Sequence, residues 1–473
     1  MSPLATSVAG QNGADAAAVA FDAWWAQRHK ANKFEVTPIP FATLDDWKFD
    51  PASGNLGHIS GRFFTIEGIQ VAAESPHGVF DWRQPIIHQP EIGILGILAK
   101  RFDGVLHFLM QAKMEPGNIN TLQVSPTIQA TRSNYTRVHR GRNTRYLEFF
   151  RGPQRGRVIV DVLQSEQGSW FWRKHNRNIV VEVDCDVPEH EDFIWLTPHQ
   201  IGQLLRVDNL VNMDARTVLS CIPALSYLGV DEDAADTVDD PFTAALLRSH
   251  RAPAQDDHAT GPAHALHTRT ELLSWFTEMK TRHEWRTRLI PLNQVDSWSC
   301  TDDEIVSKDG RGTFRIIGAR VAAANREVSS WTQPLLAPCE QGLAAFLARP
   351  INGVLHLLVK AQPEPGLLDT VELTPTVQMP AAEFGGAPVP FLDEVTKADP
   401  ARVRFDSVLS EEGGRFHHAE TRYQIIEAPQ DFPVEVPEAF CWMTVGQLTE
   451  LLRHGHYLNV EARSLLACLH SLR

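Results

Sequence analysis

Apolar residues recur at helical spacing in ADAAAVAFDAWWAQRHK, which starts at Ala14 and sets Phe21, Trp24 and Trp25 on one face. The pattern returns in TRTELLSWFTEMK, where Leu272, Trp275, Phe276 and Met279 form the stripe and Thr268 with Glu271 has capping-box spacing. The period then shortens to two. RFFTIEGIQV and GTFRIIGARV read as strands, followed by GVLHFLMQAK, in which Leu106, Phe108, Met110 and Ala112 alternate with Val105, His107, Leu109, Gln111 and Lys113. One face of that strand builds core and the other points mixed, partly polar groups into a common space. VIVDVL (158–163) and NIVVEV (178–183) are further strands, and LQVSPTIQ is a strand that Pro126 places at an edge or bulge. EPGN at Glu115 and EPG at Glu364 are turns. Thr197 with Pro198, and Thr444, start closing helices. Strands followed by helices predict an α+β fold.

This pattern is written twice. Trp82–Gln129 aligns without a gap on Trp331–Gln378 at an offset of 249, with 20 of 48 positions identical. DVLQSEQGSWF from Asp161 answers DSVLSEEGGRF from Asp406, and NMDARTVLSC from Asn212 answers NVEARSLLAC from Asn459. So long a period excludes a solenoid, whose units run to about 20–50 residues. The expected organisation is an N-terminal repeat over 14–228, an Asp-, Ala- and Pro-rich linker over 229–266 with a short helix at FTAALLRSH, and a C-terminal repeat over 267–473.

Composition narrows the function. A net charge of −14 argues against general nucleic-acid binding. The charge is uneven, however: Arg132 to Arg177 holds eleven Lys or Arg against Glu148, Asp161 and Glu166, enough to hold a compact polyanion. The six cysteines show no CxxC spacing, and Cys221 and Cys468 sit at equivalent places on apolar helical stretches, as buried structural thiols. With no basic leader and no apolar run of 18 residues, the expectation is a cytoplasmic protein without membrane or nucleic-acid partners.

GxGxxG after a strand, the P-loop, HExxH and GxSxG are all missing. What stands out is SPTIQATRSNYTRVHRGRNTRYLEFF from Ser125, dense in hydroxyls, amides, cations and tyrosines; the second repeat keeps only TPTVQ of it. Arginine and lysine suit a diphosphate, and Tyr or Trp can stack on a base. The bland alternative is a solvated basic loop.

LMQAKMEPGN, SPTIQATRSNYTRVH, DVLQSEQGSWFWRKHNRN, VLSEEGGRFHHAE and LNVEARSLLACLHSL resemble the NDP-hexose 2,3-dehydratases of deoxysugar biosynthesis. The resemblance implies two tandem duplicated Nudix-like domains without Nudix catalysis; SEEGG at Ser410 is only a fragment of a Nudix box. It implies removal of the C2 hydroxyl of dTDP-4-keto-6-deoxy-D-glucose to give dTDP-3,4-diketo-2,6-dideoxy-D-glucose, needing a base, an oxyanion donor and an acid but no cofactor and no metal. It also implies a homodimer and a 3-ketoreductase acting next on the fragile product, within antibiotic biosynthesis. Under that reading Glu166, Glu115 or His107 is the base, and Tyr135 or His139 donates to the enolate or leaving oxygen. Lys113, Arg132, Arg137 and Arg177 take the diphosphate, Gln84, Gln129, Ser133 and Asn134 bond sugar and base, and Trp82 is core or stacks on thymine. Each has a structural alternative: His107 and His356 as satisfied core histidines, Glu115 as a turn stabiliser, Glu166 as a cap of its strand pair. Two other functions compete, a non-catalytic nucleotide-sugar-binding module and a degenerate Nudix-type hydrolase. RFHHAETRY from Arg415 leaves open that the second repeat holds the working site.

Overall fold

The computed structural model describes residues 11–75, 78–131, 144–152, 155–223, 233–250, 264–323, 330–380 and 388–472. It is α+β, with two similar halves that each carry a seven-stranded mixed sheet. In the first half the main path runs Arg157–Ser165, His175–Glu182, Gly93–Phe102, Val105–Met114, Phe193–Leu196. All neighbours are antiparallel except His175–Glu182 on Gly93–Phe102. The second half repeats this with Val403–Ser410, Glu420–Glu427, Gly342–Ile351, Val354–Pro363 and Phe440–Thr444, including the parallel pair.

Pro126 acts at a partner switch. Leu122–Ser125 pairs with Val105–Met114, whereas Ile128–Ala130 pairs with Gly93–Phe102. Between them the Thr127 hydroxyl accepts from Leu98 N–H (2.8 Å) and donates to Leu109 C=O, replacing the ladder bonds the break removes.

Leu106, Phe108 and Met110 pack, as their alternation predicts, into a core with Phe21, Leu196, Ile201, Leu205 and Val218. The opposite face is less polar than expected: Leu109 joins a second core with Ile94, Tyr146 and Phe150 and separates His107 at one end from Gln111 and Lys113 at the other. The closing helices, and the helix that opens the second half, start as predicted. Thr197, Thr268 and Thr444 each form a capping box, and Asn212 and Asn459 cap the last long helices through Ala215 N–H (2.8 Å) and Ala462 N–H (3.0 Å). Each cap contributes about 1 kcal/mol.

The halves are not beads on a string. Phe34–Ile39 of the first pairs with Phe314–Ala323 of the second, and Arg286–Ile290 of the second pairs with Thr65–Ser75 of the first. The EPG turns also cross: Gly117 N–H donates to Gly413 C=O and Gly366 N–H to Gly168 C=O, each at 2.7 Å. A Cβ on Gly117 would lie 1.5 Å from Phe416 O, and one on Gly366 1.8 Å from Phe171 O, so both positions need glycine for close approach. Buried Arg216 reaches across to Ser410 C=O (2.8 Å), and Arg463 reaches back to Ser165 C=O. Within the expected linker, Pro241–Ser249 is a helix whose Phe242, Ala245 and Leu246 enter the second half's core. No helix among the described residues is long and apolar enough to cross a membrane.

Candidate active site

The crossed turns bring charged side chains together. Lys113 stands at the polar end of its strand and Glu115 opens the EPG turn, so strand geometry puts both on one side, with Lys113 Nζ 3.2 Å from Glu115 Oε1. Gln129, on the short strand after Pro126, donates to the same oxygen at 2.6 Å. Glu115 is thereby held by two donors, and is 4% exposed.

Glu166 sits in the SEQG turn joining two neighbouring strands. Asn176 Nδ2 donates to Glu166 Oε1 (2.6 Å), while Asn176 Oδ1 accepts from Gly93 N–H and from Lys174 Nζ, both at 2.9 Å. Lys174 also donates to Glu91 C=O. One carboxylate oxygen of Glu166 is fixed in this way, whereas the buried Oε2 has no hydrogen-bond partner among the described residues. Asp214, in the first turn of the helix capped by Asn212, is buried and electrostatically coupled to Glu412, Glu115, Glu166 and Lys113.

Two members come from the second half. Its SEEGGRF turn, bonded to the Glu115 turn through Gly413, carries Glu412 and Arg415. Arg415 donates from Nε to Gln89 Oε1 (3.0 Å) and from Nη1 to Gly414 C=O (2.7 Å), and its guanidinium lies 4.4 Å from the Phe64 ring centroid. Glu412 and Arg415 keep partial solvent access although protein surrounds them closely. Glu412 Oε1 and Glu115 Oε1 lie 3.0 and 3.7 Å from the point a Cβ on Gly414 would occupy, so the two carboxylates come together beside that glycine.

Burial dominates the proton affinities. It pushes Glu166 up to about 7, with Glu412 adding to the effect and Arg463, Lys174 and Asn176 opposing it. Burial also raises Glu412, against Arg415, and raises Asp214 well above the carboxylate range. It lowers Lys174, against the pull of Glu166 and Glu412. Carboxylates whose proton affinities are spread upward in one enclosed space can hold and pass protons near neutral pH.

The second half builds a counterpart. Glu364 faces Asn459 Nδ2 (3.3 Å) and Gln378 Nε2 (3.5 Å), and Asn459 also donates to Glu461 Oε2 (2.7 Å). Glu411 accepts from Tyr423 OH (2.8 Å) and Gln167 Nε2 (3.1 Å), and Glu372 from Ser165 Oγ (2.6 Å). Burial and neighbouring Glu372 push Glu364 up to about 7, and burial with Glu364 and Glu411 raises Glu461 well above its usual range.

Of the residues expected from sequence, Glu115, Glu166, Lys113 and Gln129 meet in the first centre. Arg177 does not: it forms a two-point pair with Asp161 (2.6 Å each), and Arg422 pairs with Asp406 in the same way in the second half, a strand-to-strand brace. Gln84 donates to Ser169 C=O (2.9 Å), steadying the SEQG turn. Trp82 is half-buried with Ile69, Val71, Ile86 and Trp172, and its ring is edge-on to Trp285 at 5.3 Å. His107 lies at the far end of its strand, bonded to Val105 C=O (2.9 Å) and edge-on to Phe102. His356 is a satisfied core histidine that accepts from Leu266 N–H (2.9 Å), and burial lowers it to about 4. Arg132, Ser133, Asn134, Tyr135, Arg137 and His139 lie outside the described residues. Sequence reading passed over Asp214, Glu412, Lys174 and Asn176, and met Arg415 only as the start of RFHHAETRY, as a candidate for the second half. The one available signal was in the repeat itself: Glu412 and Arg415 are charged where SEQGSWF has Gln167 and Trp170.

A desolvated set of carboxylates with ammonium and guanidinium partners, held rigidly between two crossed turns, is the apparatus of an enzyme that moves protons. The chain belongs to the NDP-hexose 2,3-dehydratase family, whose model matches residues 18–222 and again 269–469, one copy for each half. It is 53% identical over 459 residues to the dTDP-4-dehydro-6-deoxy-alpha-D-glucopyranose 2,3-dehydratase of Saccharopolyspora spinosa, covering 96% of this chain and 91% of that one. The enzymes of that name from Streptomyces violaceoruber and Amycolatopsis orientalis are 52% and 49% identical over 457 residues, covering 96% and 95% of this chain and 97% and 89% of theirs.

Proposed function

We propose that the first-half centre removes the C2 hydroxyl of dTDP-4-keto-6-deoxy-D-glucose and releases dTDP-3,4-diketo-2,6-dideoxy-D-glucose. The observation that carries this reading is Glu166: one oxygen is fixed by Asn176, and the other is buried, without a hydrogen-bond partner among the described residues, and near Glu412. As a carboxylate it takes the C3 proton, which the C4 ketone acidifies. The C3–H electron pair becomes the C3–C4 double bond of an enolate, and Lys113 donates to the C4 oxygen. Its place among the carboxylates moves Lys113 from the diphosphate role to this one. The enolate then reforms the ketone, the C2–O bond breaks, and the oxygen leaves as water. The remaining C2–C3 enol takes a proton at C2 and loses one from its C3 hydroxyl, giving the diketone. Hydrogen count and oxidation balance without an electron carrier.

Arg132 and Arg137 hold the diphosphate in this proposal, and Ser133 and Asn134 the sugar or base, with Tyr135 and His139 as further donors. Each half derives from a Nudix-like fold, the protein works as a cytoplasmic homodimer in antibiotic deoxysugar biosynthesis, and a 3-ketoreductase consumes the product. The test is incubation of purified protein with the 4-keto-6-deoxy sugar nucleotide, without NAD(P) or added metal. Loss of substrate with formation of the diketo product is expected; substrate unchanged over long incubation would end the proposal. Release of nucleoside monophosphate that needs Mg²⁺ would favour the hydrolase instead.

A further inference from the structure

We infer that Glu412, supplied by the second half, is the acid that protonates the departing C2 oxygen in the first half's centre, with Arg415 beside it to receive the charge. The inference rests on the elimination reading. A base alone leaves the hardest departure, that of hydroxide, without help, and an acid beside the C2 oxygen supplies it. Four other carboxyl groups, those of Glu91, Glu115, Asp214 and Glu412, are within electrostatic reach of Glu166 or its neighbours. Glu115 is committed to Lys113 and Gln129, and Asp214 sits in the first turn of a helix that is buried along its whole length. Glu412 is the carboxylate that acts on Glu166, its Oε1 and that of Glu115 lie 3.0 and 3.7 Å from where a Cβ on Gly414 would stand, and it is half-buried on a turn that Gly117 and Gly413 lock to the Glu115 turn.

The repeat supports the choice. Glu115, Glu166 and Asp214 have acidic counterparts in Glu364, Glu411 and Glu461, but Glu412 answers to Gln167, an amide that cannot give up a proton in this way. Arg415 answers to Trp170. Acid and cation thus appear as a pair in one centre and are absent as a pair from the other. In the step itself the Glu412 O–H proton goes to the C2 oxygen as the C2–O bond breaks, water leaves, and the new carboxylate faces the Arg415 guanidinium, which Gln89 and the Gly414 carbonyl hold in place. The second half is on this account part of the catalytic centre and not only its support.

The test is Glu412→Gln, which installs the side chain that the second centre already carries at this place, with Glu412→Asp as a companion. Expected for Glu412→Gln is a kcat lowered by about 10²-fold to 10⁴-fold with KM changed less than about threefold, and loss of the alkaline limb of the pH–rate profile. Glu412→Asp keeps that limb and part of the rate. Circular dichroism and dTDP affinity matching the unaltered protein would establish that the variants fold. Near-normal kcat in Glu412→Gln, or an unchanged alkaline limb, overturns the assignment; inactivity of the unaltered protein toward the keto sugar would instead overturn the elimination reading itself.

Discussion

The two centres share a carboxylate frame and differ in what is set against it. Glu115, Gln129, Glu166 and Asp214 correspond to Glu364, Gln378, Glu411 and Glu461. Lys113, Lys174 and Arg415, by contrast, correspond to Gln362, Ala419 and Trp170. Nearby cations favour ionised carboxylates, and burial without them favours protonated ones. The second centre settles its acids by raised proton affinities on Glu364 and Glu461 and by hydrogen bonds from Asn459, Tyr423 and Ser165. Burial brings Glu166 and Glu364 alike to about 7, but the cations Arg463 and Lys174 act against it at Glu166, whereas Glu364 has the amides of Asn459 and Gln378. Duplication kept the scaffold in both places, and a few charged positions separate a base from a hydrogen-bond network.

The comparison breaks most visibly where the halves interlock. Gly117→Ala and Gly366→Ala should each cost more than about 3 kcal/mol or prevent folding, because the added Cβ would collide with a carbonyl oxygen of the opposite half. Urea unfolding would show it, and tolerance of one substitution but not the other would contradict a symmetric scaffold. Next in size, Lys113→Gln should lower kcat by about 10²-fold to 10³-fold, as loss of one oxyanion donor does, while Gln362→Lys leaves it within about threefold. Steady-state rates on the keto sugar nucleotide decide this.

A third test uses pH. Glu166 must be ionised to accept a proton, and its folded-state value is about 7, so kcat/KM should fall roughly tenfold per pH unit below about 7. An acid limb near the ordinary carboxylate range would contradict the burial argument. The smallest effect is on stability. Glu364 is raised from 4.5 to about 7 in the fold, so between these values the native state binds more protons than the unfolded chain, and stability falls as pH rises through that window. Glu364→Gln removes the ionisation cost. Its Tm should exceed that of the unaltered protein by about 2–4 °C at pH 8, with the difference gone at pH 4.

Most of the scaffold was legible from pattern. The period-two run ending at Lys113, the capping signals at Thr197, Thr268 and Thr444, and the interruption at Pro126 all became the elements they suggested, because local chemistry decides them. The strand exchange of Phe34–Ile39 and Arg286–Ile290 was not legible, since a strand reads alike whichever half it joins. The site was half legible. Glu115 and Glu166 stand in turns next to repeat signatures, and Lys113 ends a strand. Asp214 hides behind a helix cap, and Glu412 and Arg415 reach the first centre only through a crossing of turns about 300 residues apart in sequence. Arg177 misled because a cation in a basic segment looks free until the facing strand supplies Asp161.

The central claim is that catalysis belongs to the charged centre and to its free carboxylate oxygen. It is tested most directly by measuring elimination of water from the 4-keto-6-deoxy sugar nucleotide by Glu166→Gln and Glu411→Gln side by side. A loss of about 10²-fold to 10⁴-fold in the first, with the second within about threefold of the unaltered protein, is the predicted result. Equal losses, or a larger loss at Glu411, would contradict it and move the reaction to the other half.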